Sequence, residues 1–183
     1  MTNFTANEEK FAEMILYVCQ KCADDPCFGS IKLNKVLCFA DFLHYANYGR
    51  PITGVEYQKL PRGPAPRRLL PVRERLIHDG YLAIQPVFLK SGAVQKRPVN
   101  LRDPNLGIFT GDEVATIDSV IEGLRNATSE TVSELSHQIM VGWLVVEEGD
   151  TIPYSTIFLS NEPLSPLEIQ RGLEVARKHD LVH

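Results

Sequence analysis

The sequence lacks any apolar run approaching the roughly 18 residues that a membrane-spanning helix needs. Its opening, MTNFTANEEK, has neither a basic segment nor an apolar stretch, so we expect no secretory signal. Cysteine is scarce, with four in 183 residues. Outside a secretory setting such cysteines are expected to be reduced thiols. These absences predict a cytoplasmic protein that does not bind a membrane.

The sequence also lacks a glycine-rich phosphate loop and a complete set of zinc ligands. Cys19 and Cys22 form a single CxxC pair, and the next cysteines, Cys27 and Cys38, do not form a second one. A structural zinc site needs two such pairs, or one pair with histidines at defined spacing. Because Cys22 falls on the apolar stripe of a predicted helix, we interpret the cysteines as buried hydrophobic residues. We therefore predict no metal and no cofactor.

Basic residues are fewer than acidic ones, which argues against a general nucleic-acid-binding protein. The formal net charge is −4, whereas such proteins owe most of their affinity to basic residues that neutralise phosphates. One local exception runs from Lys59 to Arg75, where six basic residues stand against one acid, Glu74. This basic stretch fits contact with phosphates, contact with an acidic protein surface, or a plain solvated face. Nucleic acid stays open as a partner but is not favoured.

Apolar residues recur at the spacing of amphipathic helices along most of the chain. Three further runs have the pattern of β-strands, and Lys90-Ser91-Gly92-Ala93 joins two of them as a hairpin. The first predicted helix begins near Thr5 or Asn7 and ends before Asp24. Further predicted helices cover about 33–48, 66–78, 110–124, 129–138 and 165–178, and predicted strands cover 55–60, 81–89 and 94–101. We therefore predict a mainly helical α+β fold, with helices packed on a small antiparallel β-sheet or hairpin.

Residues 5–160 are assigned to one domain, and residues 161–183 are expected to add a C-terminal helix packed on the same domain. Capping boxes, in which a Ser or Thr and a Glu satisfy each other's backbone N–H groups, mark three helix starts. They are Thr5 with Glu8, Thr110 with Glu113, and Ser165 with Glu168.

The proline-rich run 61–66 predicts a rigid turn that leads into the third helix, with Pro66 at the first helical position. Pro71 conflicts with that start, because a proline in a helix interior clashes with the preceding turn. The third helix therefore either kinks at Pro71 or begins later than Pro66.

Asp41 and His44 lie three residues apart on one helix and therefore share a face. They fit an acid–base pair, but no serine or cysteine nucleophile is marked by a turn motif nearby. A local hydrogen bond at a helix surface is the favoured interpretation of the two residues. His137 is a candidate site residue too, although packing near Trp143 is the simpler interpretation. We predict that the protein is not an enzyme, with an unrecognised enzyme as an open alternative.

Residues 31–66 read IKLNKVLCFADFLHYANYGRPITGVEYQKLPRGPAP. This segment resembles the signature of the Panacea domain, found in SocA-like antitoxins. Later parts of the chain resemble the same family at a Ser-His pair, at a tryptophan and at the run 149–154. The signature residues that match are Lys32, Asn34, Lys35, Asp41, Gly49, Pro51, Gly54, Gly63, Pro64, His137 and Trp143. The sequence departs from the family pattern at Pro71, in the apolar run 138–142, and in the tail after Tyr154, which lies outside the pattern.

The resemblance implies an antitoxin in a toxin–antitoxin or phage-associated system, which neutralises a cognate toxin by direct protein–protein binding. One branch of the family is similar to protease adaptors, so a cellular protease is a second implied partner. Members pair with unrelated toxins, so the toxin's identity is not inherited from the resemblance. The alternative is a winged-helix-like transcriptional regulator, since a basic helix followed by a hairpin is also the order of that fold.

Four arginines are predicted to contact the partner: Arg50, Arg62, Arg67 and Arg68. They lie on or beside rigid turns, which present long side chains at little entropic cost. Plain surface arginines are the competing interpretation. The oligomeric state is left open by the sequence.

Overall fold

The computed structural model describes residues 4–89, 92–160, 162 and 165–178. The elements in chain order are α1 (Glu8–Lys21), α2 (Ser30–Tyr48), β1 (Tyr57–Leu60), β2 (Gly63–Pro66), α3 (Leu69–His78), β3 (Leu82–Phe88), β4 (Val94–Asn100), α4 (Gly111–Gly123), α5 (Ser129–Ile139), α6 (Val141–Val145), β5 (Thr151–Ile152) and α7 (Pro166–Lys178). Short 3₁₀ helices cover Leu106–Ile108 and Tyr154–Phe158. The predicted mainly helical α+β fold is confirmed.

The strands form two small antiparallel sheets. In the first, β1 lies between β2 and β5, and Tyr57 is paired with both Pro66 and Ile152. The second sheet is the predicted hairpin of β3 and β4, in register from Leu82–Asn100 to Phe88–Val94. The hairpin is therefore confirmed, whereas the predicted connecting residues Lys90 and Ser91 lie outside the described part of the chain.

Helix α2 is the centre of the fold. It contacts α1, α4, α5 and β2, and most of its apolar side chains between Leu33 and Phe42 are buried. A helix that packs on several sides needs apolar residues around most of its circumference, and the run from Leu33 to Phe42 supplies them. The candidate site residues on α2 are therefore held by the central helix of the fold.

Two of the three predicted capping boxes are confirmed. Thr110 and Glu113 bond each other's backbone N–H groups at the start of α4, and Ser165 and Glu168 do so before α7. The box at Thr5 is wrong, because Asn7 caps α1 by accepting a hydrogen bond from the Lys10 backbone N–H at 2.9 Å. Glu8 is free of the cap and pairs with Arg68 instead.

The prediction for residues 61–66 is partly wrong. Only the tip is a turn, since Gly63–Pro66 is strand β2, paired with β1. Helix α3 begins at Leu69 rather than Pro66, which makes Pro71 its third residue. A proline is tolerated in the first helical turn, because the N–H groups there have no intrahelical acceptor. The alternative of a later start for this helix is confirmed.

Helix α7 lies at the C-terminal end of the described chain, and none of its residues is buried. Packing of this helix on the domain stays a prediction. No helix in the described ranges has the length and apolarity to cross a membrane.

Candidate functional site

Asp41 holds the loop after α2 in place. Its carboxylate accepts hydrogen bonds from the Thr53 backbone N–H at 2.7 Å, the Thr53 hydroxyl at 2.5 Å and the Tyr57 hydroxyl at 2.8 Å. Complete burial of the carboxyl raises its pKa to about 6 against the opposing effect of these donors. Asp41 therefore joins α2 to the loop and to β1, which is a structural task.

Asp41 and His44 do not form an acid–base pair. His44 Nδ1 lies 3.2 Å from the Thr116 hydroxyl on α4, and its ring packs on Tyr48 with centroids 4.5 Å apart. The carboxylate of Asp41 instead bonds to Thr53 and Tyr57. Because the two side chains have separate partners, neither the predicted catalytic pair nor the predicted local hydrogen bond between them is present.

The turn after α2 carries three further signature residues. Gly49 ends the helix in the left-handed conformation, with φ of 71°, and Pro51 behind it is buried. Gly54 also has positive φ, and a Cβ atom there would lie 2.9 Å from the backbone oxygen of Thr5. Only glycine fits that approach, because the neighbouring atom belongs to the backbone. These residues fix the path of the chain from α2 to β1.

Lys32 forms a buried ion pair near the start of α2. Its Nζ donates to Asp25 Oδ2 at 2.5 Å and to the Ala127 carbonyl at 3.0 Å. Burial by itself would raise the pKa of Asp25, but the bonds from Lys32 and from the Cys27 backbone N–H lower it below the ordinary value. The pair ties the loop before α2 to the turn between α4 and α5.

Lys35 is as deeply buried as Lys32 but has fewer polar partners. Its Nζ has one hydrogen bond, to the Pro64 carbonyl at 3.2 Å, and no ion pair within the described residues. Burial lowers its pKa to about 8. Beside it, a Cβ atom at Gly63 would lie 2.8 Å from Lys35 Nζ and closer still to Ser136 Oγ. The absence of a side chain at Gly63 therefore lets β2 approach α2 and α5.

His137 and Trp143 belong to a later part of the chain and pack beside the same strands. Their rings are stacked with centroids 4.0 Å apart, as predicted by the packing interpretation of His137. Trp143 Nε1 donates to the Leu60 carbonyl at 3.0 Å, which anchors α6 on the strand pair β1–β2. Desolvation lowers the pKa of His137, and its Nε2 has no partner among the described residues, nor has Oδ1 of Asn34.

Most of the signature residues thus lie in the interior or at its edge, although they come from parts of the chain about one hundred residues apart. Sequence reasoning grouped them by resemblance but did not find their partners. Thr53, Tyr57, Asp25 and Ser136 were missed as partners, since nothing in their spacing indicates which side chains converge. The arrangement as a whole joins α2 to the loops, strands and helices around it.

Two of the four predicted partner-binding arginines already contact the protein itself. Arg67 donates to the Gly149 carbonyl and, at 3.1 Å, to Gln58 Oε1. Arg68 pairs with Glu8, which also lies 3.5 Å from Arg75. Arg50 and Arg62 are exposed. The basic stretch is therefore partly neutralised by its own chain, which weakens the case for phosphate contact.

The cysteines lie where their interpretation as hydrophobic residues places them. Cys19, Cys22 and Cys38 are buried and Cys27 is half-buried, all as free thiols. Burial raises the pKa of Cys22 to about 11, so its thiol is protonated at neutral pH. In the described part of the chain no three His, Cys, Asp or Glu side chains are placed to hold a metal ion.

An open apolar groove of about 310 Å³ lies between α2, α4, α5 and the 3₁₀ helix Tyr154–Phe158. We call it the apolar groove, and its lining is Phe39, Phe42, Leu43, Ser119, Val120, Gly123, Leu124, Leu135, Ile139, Met140 and Ile157. Ile139 is 50% exposed, and Leu43 also reaches the surface. No charged side chain lines the groove, which suits it to apolar side chains of another segment.

Sequence reasoning missed the apolar groove. Its lining comes from four segments spread over residues 39–157, and the sequence of each segment is typical of an ordinary helix face or loop. The available signal was the apolar residues at the end of α5, such as Ile139, at the start of a region without clear helical periodicity.

Comparison with known families gives one match. The model of the family described as antitoxin SocA-like, Panacea domain, matches residues 33–144, which is more than half of the chain. The protein therefore belongs to this family of antitoxin-like proteins. The matched range runs from α2 through α6 and includes all the signature residues except Lys32. Comparisons with curated proteins and with solved structures gave no match.

Proposed function

We propose that this protein neutralises a cognate toxin by direct binding, and that the toxin contacts the apolar groove. Membership of the antitoxin family carries the first part of the proposal. The family implies a toxin as partner and favours a non-enzymatic role.

The groove carries the second part of the proposal. Protein-binding grooves of this kind take apolar side chains from one face of a partner helix. Ile139 and Leu43 stand at its surface, between walls provided by α2, α4 and α5. None of the signature residues is among the groove's lining, and all of them except Gly49 are buried or half-buried.

The exposed arginines Arg50 and Arg62 remain proposed contacts for the same partner. Arg67 and Arg68 are weaker candidates, because binding a partner would require them to exchange their bonds with Gly149 and Glu8. Sequence-specific DNA binding is the less supported function, since these two arginines and Arg75 face acceptors of their own chain. Delivery of the toxin to a protease is a separate step that binding alone does not require.

The test is co-expression with the product of the neighbouring gene, read out as growth rescue and as affinity in a pull-down or calorimetric titration. We expect the wild-type protein to rescue growth, and Ile139→Glu to lose rescue with at least tenfold weaker binding. Burying an isoleucine side chain contributes about 1.5–3 kcal/mol, and a buried glutamate would add a desolvation penalty.

The matched control is Leu101→Glu, which changes a similarly exposed apolar residue outside the groove. It should bind as the wild type does. If the product of the neighbouring gene is neither toxic nor bound, the antitoxin proposal fails. If Ile139→Glu binds normally while Arg50→Ala or Arg62→Ala does not, the toxin contacts the arginines and the assignment to the groove is wrong. Tight, sequence-selective binding of duplex DNA with a steep salt dependence would favour the regulator instead.

A further inference from the structure

Helix α7 carries an apolar stripe that is not buried against the rest of the described chain. Ile169, Leu173 and Ala176 recur at the spacing of one helix face, and Leu173 is 45% exposed. None of the helix's 13 residues is buried. An isolated helix of roughly 12–15 residues is marginal in water, so its stability depends on packing the stripe against an apolar surface.

The apolar groove is such a surface, and it lies beside the point where the chain departs towards α7. Ile157 forms part of its lining, and α7 begins at Pro166. The eight residues between them span up to about 26 Å when extended, which is enough to bring the helix back over the groove. A 13-residue helix is about 20 Å long, and is thus comparable with α5, the 11-residue helix that forms one wall.

We propose that α7 folds back onto the apolar groove of its own chain in the free protein, with Ile169 and Leu173 inserted between α4 and α5. The short connection favours its own helix over that of a second molecule, because it holds α7 at a local concentration in the millimolar range. Contact buries two apolar surfaces that are otherwise exposed to water. This inference does not depend on the toxin, although a toxin bound to the groove would displace the helix.

A disulfide test decides whether the contact forms. Leu173→Cys is combined with Ile139→Cys in the full-length chain, and the protein is oxidised mildly at micromolar concentration. We expect a monomeric, cross-linked product to form at least tenfold faster than in the control, Val175→Cys with Ile139→Cys. Val175 is 56% exposed but lies about 200° around the helix from Leu173, so it faces away when Leu173 is docked. Wild-type protein treated in parallel accounts for the four native thiols.

The outcomes separate the candidate occupants of the groove. Cross-linked dimers in place of monomers would show that a second molecule occupies it, which overturns the proposal. Equal rates for the two pairs, or no product, would overturn it as well. Hydrogen exchange gives an independent measurement without cysteines: α7 amides should be protected in the wild type and in Val175→Glu, and unprotected in Leu173→Glu. Fast exchange of α7 in the wild type would contradict docking.

Discussion

The buried signature residues and the apolar groove differ in almost every physical respect. Asp41, Lys32 and Lys35 are charged, nearly inaccessible and bonded to atoms of other elements. The groove is apolar and open, and no charged side chain is among its lining. One region joins helices to strands, and the other offers a surface that another segment can cover. The family signature therefore marks the scaffold of this domain, and the proposed recognition surface lies elsewhere on it.

The difference has a chemical origin. A buried carboxylate or ammonium needs donors or acceptors at fixed positions, so few residue types serve at each place. An apolar groove accepts any hydrophobic side chain of suitable size. The first kind of region leaves a readable pattern in a sequence, whereas the second kind does not.

Breaking the ion pair of Lys32 should have the largest effect on stability. Lys32→Met leaves the buried Asp25 carboxylate without its cation, and loss of one partner of a buried pair costs about 3–5 kcal/mol. Urea unfolding measures this loss. Lys21→Met is the control, because Lys21 and Asp118 form a similar pair on the surface, which should contribute no more than about 1 kcal/mol. Equal losses in the two variants would contradict the assignment of Lys32 to the scaffold.

Crowding at Gly63 should have the next largest effect. Gly63→Ala combines a residue at φ of 96° with a Cβ that meets Lys35 and Ser136, so we expect a loss of about 3 kcal/mol from strain and overpacking together. Gly80→Ala has the same backbone strain at φ of 74° with nothing within 4 Å of the added Cβ, and should cost about 1 kcal/mol. Thermal or urea unfolding compares them. A loss at Gly63 no larger than that at Gly80 would show that β2 has room to move.

The contribution of Asp41 should depend on pH. Its pKa is about 6 in the folded protein, against 3.8 for an ordinary aspartate, so the folded state holds the proton more tightly. The stabilisation from this proton is complete below pH 3.8 and is lost as the pH rises through 6. The free energy of unfolding of the wild type, relative to Asp41→Asn, should fall over that window by about 1.4 kcal/mol for each unit of pKa shift. Urea titrations at pH 4 and pH 7 measure the change. A difference that stays constant or grows would refute the burial argument.

Removing the Lys35 ammonium should have the smallest effect. Its single hydrogen bond offsets little of the desolvation penalty, so Lys35→Met should change the free energy of unfolding at pH 7 by no more than about 1 kcal/mol, in either direction. Because the folded-state pKa is lowered to about 8, the wild type should gain stability relative to the variant as the pH rises from 8 towards 10.5. A loss of unfolding free energy at pH 7 as large as that of Lys32→Met would mean that the two buried lysines stabilise the fold equally.

The sequence was sufficient for the elements whose signals are local. The apolar periodicity of α2, the β3–β4 hairpin and the capping boxes at Thr110 and Ser165 depend on residues close together in the chain, and all were predicted correctly. The capping box at Thr5 was wrong and the strand β2 was missed for the opposite reason. Glu8 pairs with Arg68, which is distant in sequence, and Gly63–Pro66 is a strand because β1 lies beside it.

What the sequence determined by itself is the family, the fold class and the central place of residues 31–66. Fixed glycines, prolines and polar residues report local backbone geometry, and that geometry is encoded within a few residues of chain. Only the tertiary structure decided that Asp41 bonds to Thr53 and Tyr57, that Lys35 has no counter-ion in the described chain, and that an apolar groove opens between α2, α4 and α5. Such contacts depend on the distance between elements far apart in sequence, and no local pattern of residues encodes that distance.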